Sequence, residues 1–447
     1  MALTREEKSW VLYDVANSAF VLVVVTAVMP LFFKEYAARS LTPAMSTAYW
    51  GFANSIAAFA VALAAPLLGA LADGEGRKKR FLLGFLFCGL SATLLLPTVG
   101  ENAWLWCLCL YVFGKIGFAG ANIFYDAFLP DVTEPKRMDW LSACGFAWGY
   151  LGSVIPFVLV VGLLFWGGGG KPGVGLPAGP AKVGFMVVAG WWLLFSIPLL
   201  THVRQRHAVA SAGQPLREAL GRLVATVREA RHHRLAFLFL LAYFFYIDGV
   251  DTIIIMATAY GSDIGLGPAT LLGAILMIQV VAFPFSLLYG RLASRFDSLK
   301  LIQAGIGVYV AITLVAFFLP TIQAPGQKTA VFWLLAFLVA TSMGGIQALS
   351  RSYYGRLIPA AQSAEFFGLY NVFGKFAAVT GPFLMGIVTQ VTGESRYGVL
   401  SILLLFAVGS ALLSQLRRED QGGESSVEPP SQPSPWEGEG ADFLDRG

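Results

Sequence analysis

Charge is scarce in this chain. Of its 447 residues only 13% are Asp, Glu, Lys or Arg while 56% are hydrophobic, and the mean hydropathy is +0.67. That balance excludes a water-soluble domain of this size and points to an integral membrane protein. Cysteine is rare too: Cys88, Cys107, Cys109 and Cys144 all fall inside apolar runs without metal-ligand spacing, which leaves them as small packing residues. The four histidines, His202, His207, His232 and His233, share one basic connector and read as a solvated face rather than a metal site. The glycine-rich "GGGGKPGVGLPAGP" at 167–180 lacks the G-K-[S/T] ending of a phosphate-binding loop and reads as a flexible connection. No nucleophile–base motif is present, so no catalytic residue, metal or cofactor is expected.

What the chain has is apolar length. Twelve hydrophobic runs approach the ~20 residues that cross a bilayer. They lie at 10–33, 46–72, 81–99, 103–128, 141–166, 183–201, 235–260, 267–292, 299–319, 330–350, 364–389 and 395–416. The first is too long for a cleavable signal, carries Asp14, and is followed by "KEYAARS" without a small-residue cleavage site. When alternate connections are assigned to opposite sides, the side holding both termini carries 23 Lys and Arg residues and the other side six. The positive-inside rule then puts both termini in the cytoplasm. The net charge of +4 is a topology signal rather than a nucleic-acid footprint. The short loops suggest a bacterial plasma membrane.

The longest polar interruption divides the helices six and six. The expected organisation is an N-terminal six-helix bundle at 1–201, a basic cytoplasmic linker at 202–234, a C-terminal six-helix bundle at 235–416 and a disordered tail at 417–447. Within the linker, "PLREALGRLVATVREARHHR" has the periodicity of a basic amphipathic helix at the membrane surface. The halves echo one another: "GALADGEGRKK" (69–79) against "GRLASRFDSLK" (290–300), "YD" (13–14) against "YID" (246–248), and "SVIPF" (153–157) against "VTGPF" (379–383). Two such halves imply an all-α, twelve-helix transporter with a binding site between pseudo-symmetric bundles near the bilayer midplane.

Charged side chains at mid-membrane cost roughly 2.5–3.5 kcal/mol each, so each needs a partner, a wet cavity or a task. Asp14 and Asn17 share a face of the first helix, Asp248 and Asp251 repeat that spacing on the seventh, and Lys115 and Lys375 sit midway along the fourth and eleventh. Asn122, Tyr125, Gln279, Gln347 and Asn371 add polar groups to the set of candidate substrate-binding or coupling residues. If helices one, four, seven and ten line the cavity, Asp14, Lys115, Asp248 and Asp251 project toward substrate. The alternative is that either lysine pairs with an aspartate as a fixed interhelical tie. Acidic and basic groups in one cavity suit a zwitterion such as an amino acid. A carboxylate buried among apolar residues also suits proton coupling, with Asp14 and Asp248 the candidates.

"GALADGEGRKKR" between helices two and three resembles the loop signature of the major facilitator superfamily, G-x-L-A-D-x-x-G-R-[R/K]. Its glycines permit a tight turn, Asp73 suits a nearby helix N-terminus or basic group, and Arg77 to Arg80 suit anchoring at the inner surface. Gly69, Asp73, Gly76, Arg77 and Lys78 are therefore gating candidates. "WVLYDVANSAF" (10–20) resembles the first-helix signature of the vacuole-effluxer branch of that superfamily, relatives of the autophagy-related vacuolar amino-acid exporter. "NIFYDAFLPDVT" (122–133), "YFFYIDGVDTI" (243–253), "GGIQALSRSYYGRLIP" (344–359) and "AEFFGLYNVFGKFAAVTGP" (364–382) extend the resemblance over nearly all of residues 8–416. It implies a secondary transporter, with amino-acid export attributed to the best-known branch. In that pattern Arg351 follows helix ten at the inner mouth, either as a gate with Asp126, Asp131 or Glu365, or as an ordinary positive-inside anchor.

The reading is a secondary active transporter of a small polar solute, amino-acid efflux by alternating access, with protons as candidate coupling ion. The alternatives are a proton-coupled porter for another metabolite or drug, and a lipid flippase on the same scaffold. A non-transporting sensor is disfavoured because no output domain is seen in the sequence. The expected partners are a small-molecule substrate, protons and membrane lipids, with no nucleic acid, and the expected state is a monomer.

Overall fold

The computed structural model describes residues 2–168, 176–209, 221 and 233–424. Twelve helices in it are long and apolar enough to cross a membrane. In chain order they are α1 (Arg5–Ala37), α2 (Pro43–Ala72), α3 (Lys78–Leu95), α4 (Trp104–Ala127), α5 (Met138–Trp166) and α6 (Ala178–His202). The second set is α7 (Arg234–Asp263), α8 (Pro268–Leu292), α9 (Ser298–Phe318), α10 (Pro325–Leu357), α11 (Ser363–Thr392) and α12 (Ser395–Glu424). Large apolar side chains such as Phe59, Leu63, Phe87 and Leu404 are exposed along helix flanks, which is stable only against lipid.

The packing repeats. In the first half α1 lies against α5 and α6, α4 against α2 and α3, and α3 against α6; the second half repeats this as α7 against α11 and α12, α10 against α8 and α9, and α9 against α12. Between halves α2 packs on α11 and α5 on α8, one contact being the image of the other, and α4–α11 is matched by α5–α10. Four helix-internal prolines obey the same symmetry, Pro66 in α2 with Pro284 in α8 and Pro156 in α5 with Pro382 in α11, whereas Pro198 in α6 has no counterpart in α12. Each of the four removes a backbone bond and bends a helix that lies on the interface. This is the two-bundle, pseudo-two-fold architecture of the major facilitator fold.

Several element ends differ from expectation, each for a local reason. α1 starts at Arg5 because Thr4 and Glu7 form a capping box, Glu7 N donating to Thr4 Oγ1 at 3.2 Å and Thr4 N to Glu7 Oε2 at 2.8 Å. The turns of α1 widen to π geometry over Phe20–Val28 and again over Phe33–Ala37. α10 runs on to Leu357, so Arg351 is within the helix and buried, not at a mouth beyond it. α12 continues to Glu424, past the expected tail boundary at 416, since Arg417 reaches Asp297 at 3.1 Å, Glu419 reaches Arg234 at 2.8 Å and Tyr353 reaches Asp420 at 3.1 Å. The rest of the expected tail, the amphipathic linker helix apart from Gly221, His233 and Arg234, and residues 169–175 of the glycine-rich connection lie outside the described residues.

Candidate functional site

Two sets of polar residues are built where the halves meet at the basic end, the end that carries both termini. In the first, Asp73, the residue that closes α2, points its carboxylate at the start of α11: Ala364 N donates to Oδ1 at 2.8 Å and Glu365 N to Oδ2 at 2.9 Å. A carboxylate against the orphan N–H groups of a helix N-terminus is a favourable charge–dipole contact. Burial pushes the Asp73 carboxyl up to about 7 despite Lys78 and those two backbone donors, and Glu365 adds to the rise. Gly69, one turn earlier, lets the backbones touch, since a Cβ there would fall 2.2 Å from Ala364 O. Gly76 takes φ +66°, the left-handed turn that a side chain would strain.

Lys78 is fully buried, against the expectation that it anchors the loop at the surface. Its ammonium donates to Asp131 Oδ2 at 2.9 Å and, across the halves, to Ser363 Oγ at 2.7 Å. Arg77 remains half-buried at the turn.

The second set centres on Arg351. Its Nη2 donates to Asp14 Oδ2 at 3.1 Å, Nη1 to Asp126 Oδ1 at 3.2 Å and Nε to Ser142 Oγ at 2.9 Å. Tyr125 OH donates to the same Asp14 oxygen at 2.7 Å. The guanidinium carbon lies 4.6 Å from the Trp10 ring, 4.4 Å from Phe146 and 5.5 Å from Tyr125, an aromatic cage that strengthens the hold on a desolvated cation. Of the acidic partners weighed for Arg351, the structure supplies Asp126 and adds Asp14; Asp131 serves Lys78, and Glu365 contributes its backbone N–H to Asp73. Nearby, Arg356 pairs with Asp139 at 2.7 Å, and Ser352 also donates to Asp139. In the ion pairs that join the halves among the described residues, the carboxylates belong to the first half and the guanidiniums to the second.

Deeper in the membrane the remaining candidates form smaller groups. Asn17 Nδ2 donates to Asn122 Oδ1 at 2.8 Å, Tyr150 OH to Gln347 Oε1 at 2.6 Å, and Gln279 Nε2 to Ser153 Oγ at 3.1 Å, the last two across the halves. Half-buried Lys115 bonds Asn54 on α2, not an aspartate, and Tyr111 OH donates to the same Asn54 oxygen at 2.9 Å. Lys375, also half-buried, lies within electrostatic reach of Asp251 on α7 and of Lys115 on α4. Asp248 is fully buried and accepts from Gly381 N at 2.7 Å, tying α7 to α11; Asn371 turns back to Phe367 O at 3.0 Å. Asp14 is thus engaged by Arg351 and Tyr125, Asp248 accepts through Oδ1 while its buried Oδ2 has no hydrogen-bond donor among the described residues, and Lys375 links Lys115 and Asp251 electrostatically.

Sequence reasoning did not single out Ser142, Asn54, Ser363 or the Trp10–Phe146 cage. Only Asn54, a polar residue in an apolar run, left a signal. His207, expected on a solvated face, is also engaged, its Nδ1 lying 3.0 Å from Asp131 Oδ1.

Twelve spans, two related bundles and ionisable groups gathered between them define a multi-pass membrane transporter of the major facilitator superfamily. The solved structures agree on the fold. The fucose transporter FucP in the outward conformation superposes with a TM-score of 0.67 at 16% identity over 92% of this chain and 97% of that one. The proton:xylose symporter XylE bound to 6-bromo-6-deoxy-D-glucose gives 0.68 at 14% identity over 92% and 95%. The profile of the vacuole effluxer Atg22-like family matches residues 3–424, and the chain belongs to that family. It is 46% identical to the uncharacterized MFS-type transporter YxiO of Bacillus subtilis, over 93% of this chain and 96% of that protein. It is 24% identical to autophagy-related protein 22 of Saccharomyces cerevisiae over 76% of this chain and 71% of that one. The match to autophagy-related protein 22-1 of Penicillium rubens, at 27% identity, spans about half of that longer relative, 48%.

Proposed function

We propose that the chain exports a small zwitterionic solute, an amino acid, by alternating access of its two halves, with proton movement coupled to the cycle. The observation that carries this reading is that Lys375 on α11 lies within electrostatic reach of Lys115 on α4 and of Asp251 on α7, so both halves contribute ionisable groups to one region. A ligand carboxylate meets a lysine there while its ammonium meets Asp251, and both halves contribute, as a site exposed to alternate sides requires. Asn17, Asn122, Gln279, Gln347 and Asn371 are the candidate orienting groups.

Arg351 with Asp14 and Asp126, together with Asp73 at the end of α2 held against the start of α11, acts as the gate at the basic end, taken as cytoplasmic by the positive-inside rule. One guanidinium serves two carboxylates, so the closed gate carries one negative charge in excess, and Asp248 is buried with no cation bonded to it among the described residues; Asp14 and Asp248 are the candidates for coupling. The setting is a bacterial plasma membrane, and the working unit is a monomer of bundles 1–201 and 235–416. The test is purified protein in liposomes, a panel of labelled amino acids and an imposed pH gradient of either sign. Gradient-dependent movement of at least one amino acid is expected, and movement of none overturns the substrate assignment.

A further inference from the structure

The start of the connection between the halves is not slack. After α6 ends at His202, Gln205 accepts from Lys78 N through Oε1 at 3.2 Å and donates through Nε2 to Gly74 O at 3.2 Å and Asp73 O at 3.4 Å. Val209 N donates to Asp73 O at 2.9 Å, laying the connection parallel to the loop between α2 and α3. Arg206 N and His207 N donate to Asp131 Oδ1 at 3.0 and 2.8 Å, the carboxylate whose other oxygen holds Lys78. The segment therefore grips the two residues, Asp73 and Lys78, through which that loop reaches α11.

We propose that residues 203–209 form a clasp, with Gln205 as its positioning residue, that sets Asp73 and Lys78 for closure of the basic end. Among the described residues the hydrogen bonds of the clasp to other elements go to the first half, while the chain beyond it continues to α7 in the second, so it joins the moving parts to the residues that lock them. Its action is preorganisation. With Gln205 in place the loop backbone is fixed by bonds that do not involve α11, and Asp73 meets Ala364 N and Glu365 N without first being ordered. By linkage, whatever factor the docked clasp adds to closure, closure adds to docking. The inference rests on the alternating-access reading.

The test uses the full chain in lipid nanodiscs, in a background without the four native cysteines, with spin labels at Lys136→Cys and Arg295→Cys, exposed positions on opposite halves at the basic end. Gln205→Ala is expected to raise the long-distance, open population about fivefold, the lower range of couplings between sites. Gln205→Glu, which keeps the acceptor for Lys78 N but sets a carboxylate against three carbonyls, those of Asp73, Gly74 and His207, is expected to do the same. Arg204→Ala, at an exposed neighbour outside the clasp contacts, is expected to leave the distances unchanged. Wild-type distances in both Gln205 variants overturn the clasp. Arg351→Ala, measured alongside, reports separately on the gate: distances unchanged in that variant count against the proposed function and not against the clasp. If the Gln205 variants fail to fold, hydrogen exchange on the wild-type chain decides. The amides of Arg206, His207 and Val209 exchange in one concerted step with those of Ala364 and Glu365 if clasp and closure are coupled. Independent exchange overturns the proposal.

Discussion

At the scale of single residues the interface holds buried charges whose partners lie in the other half, Arg351 with Asp14 and Asp126. Removing one partner strands the rest, which costs about 3–5 kcal/mol in a buried pair. Arg351→Ala is therefore expected to shift the closed–open balance at the basic end by roughly two to four powers of ten toward open, read by spin-label distances. Arg351→Lys restores little of it, because one ammonium cannot span Asp14, Asp126 and Ser142 as the guanidinium fork does. Asp14→Asn keeps the shape but removes the carboxylate proposed for coupling. It should abolish proton-coupled transport in liposomes while the protein stays folded in the membrane, and undiminished proton-driven flux would count against the role. Asp73 adds a pH term. Its carboxyl is held at about 7 when closed, against 3.8 for a hydrated aspartate, so the closed state binds more protons between those values. Closure at that end should strengthen as pH falls from 7 toward 4 and level off outside that window, and Asp73→Asn should flatten the dependence.

At the scale of elements, close helix approach depends on missing side chains. Gly69→Ala places a methyl 2.2 Å from Ala364 O, backbone that cannot swing aside, so α2 and α11 must separate. The variant should populate the open basic end and lose transport without losing helix content, measured by distance distributions and circular dichroism. Helices themselves were legible in the sequence, because apolar length is a local property: the twelve expected runs and the twelve helices differ mainly at their ends. Those ends were less legible. The starts and stops of α1, α10 and α12 depend on a capping box, a buried arginine and ties to Asp297 and Arg234. Side-chain roles were legible only in part. That Asp14 costs energy in a membrane could be read locally, but its partner Arg351 is 337 positions away, and the donor to Asp248 is 133 away. No spacing rule reaches that far. The motif at 69–79 was read as a gating loop, yet Lys78 was placed at the surface, since burial of a lysine is decided by Asp131 and Ser363 rather than by its neighbours in sequence.

At the scale of the whole molecule the two bundles share one packing plan but divide the ionic labour unequally. The first brings Asp14, Asp126 and Asp139 to the shared surface and the second brings Arg351 and Arg356. Matching folds have therefore become complementary in sign. A duplicate of the first bundle fused to itself would oppose acid to acid at this seam, and a duplicate of the second, base to base. Such chimaeras should fail to assemble while separately expressed first and second bundles still recombine. The ancestral doubling suggested by the repeat has, on this account, become irreversible: neither copy can any longer stand in for its sibling.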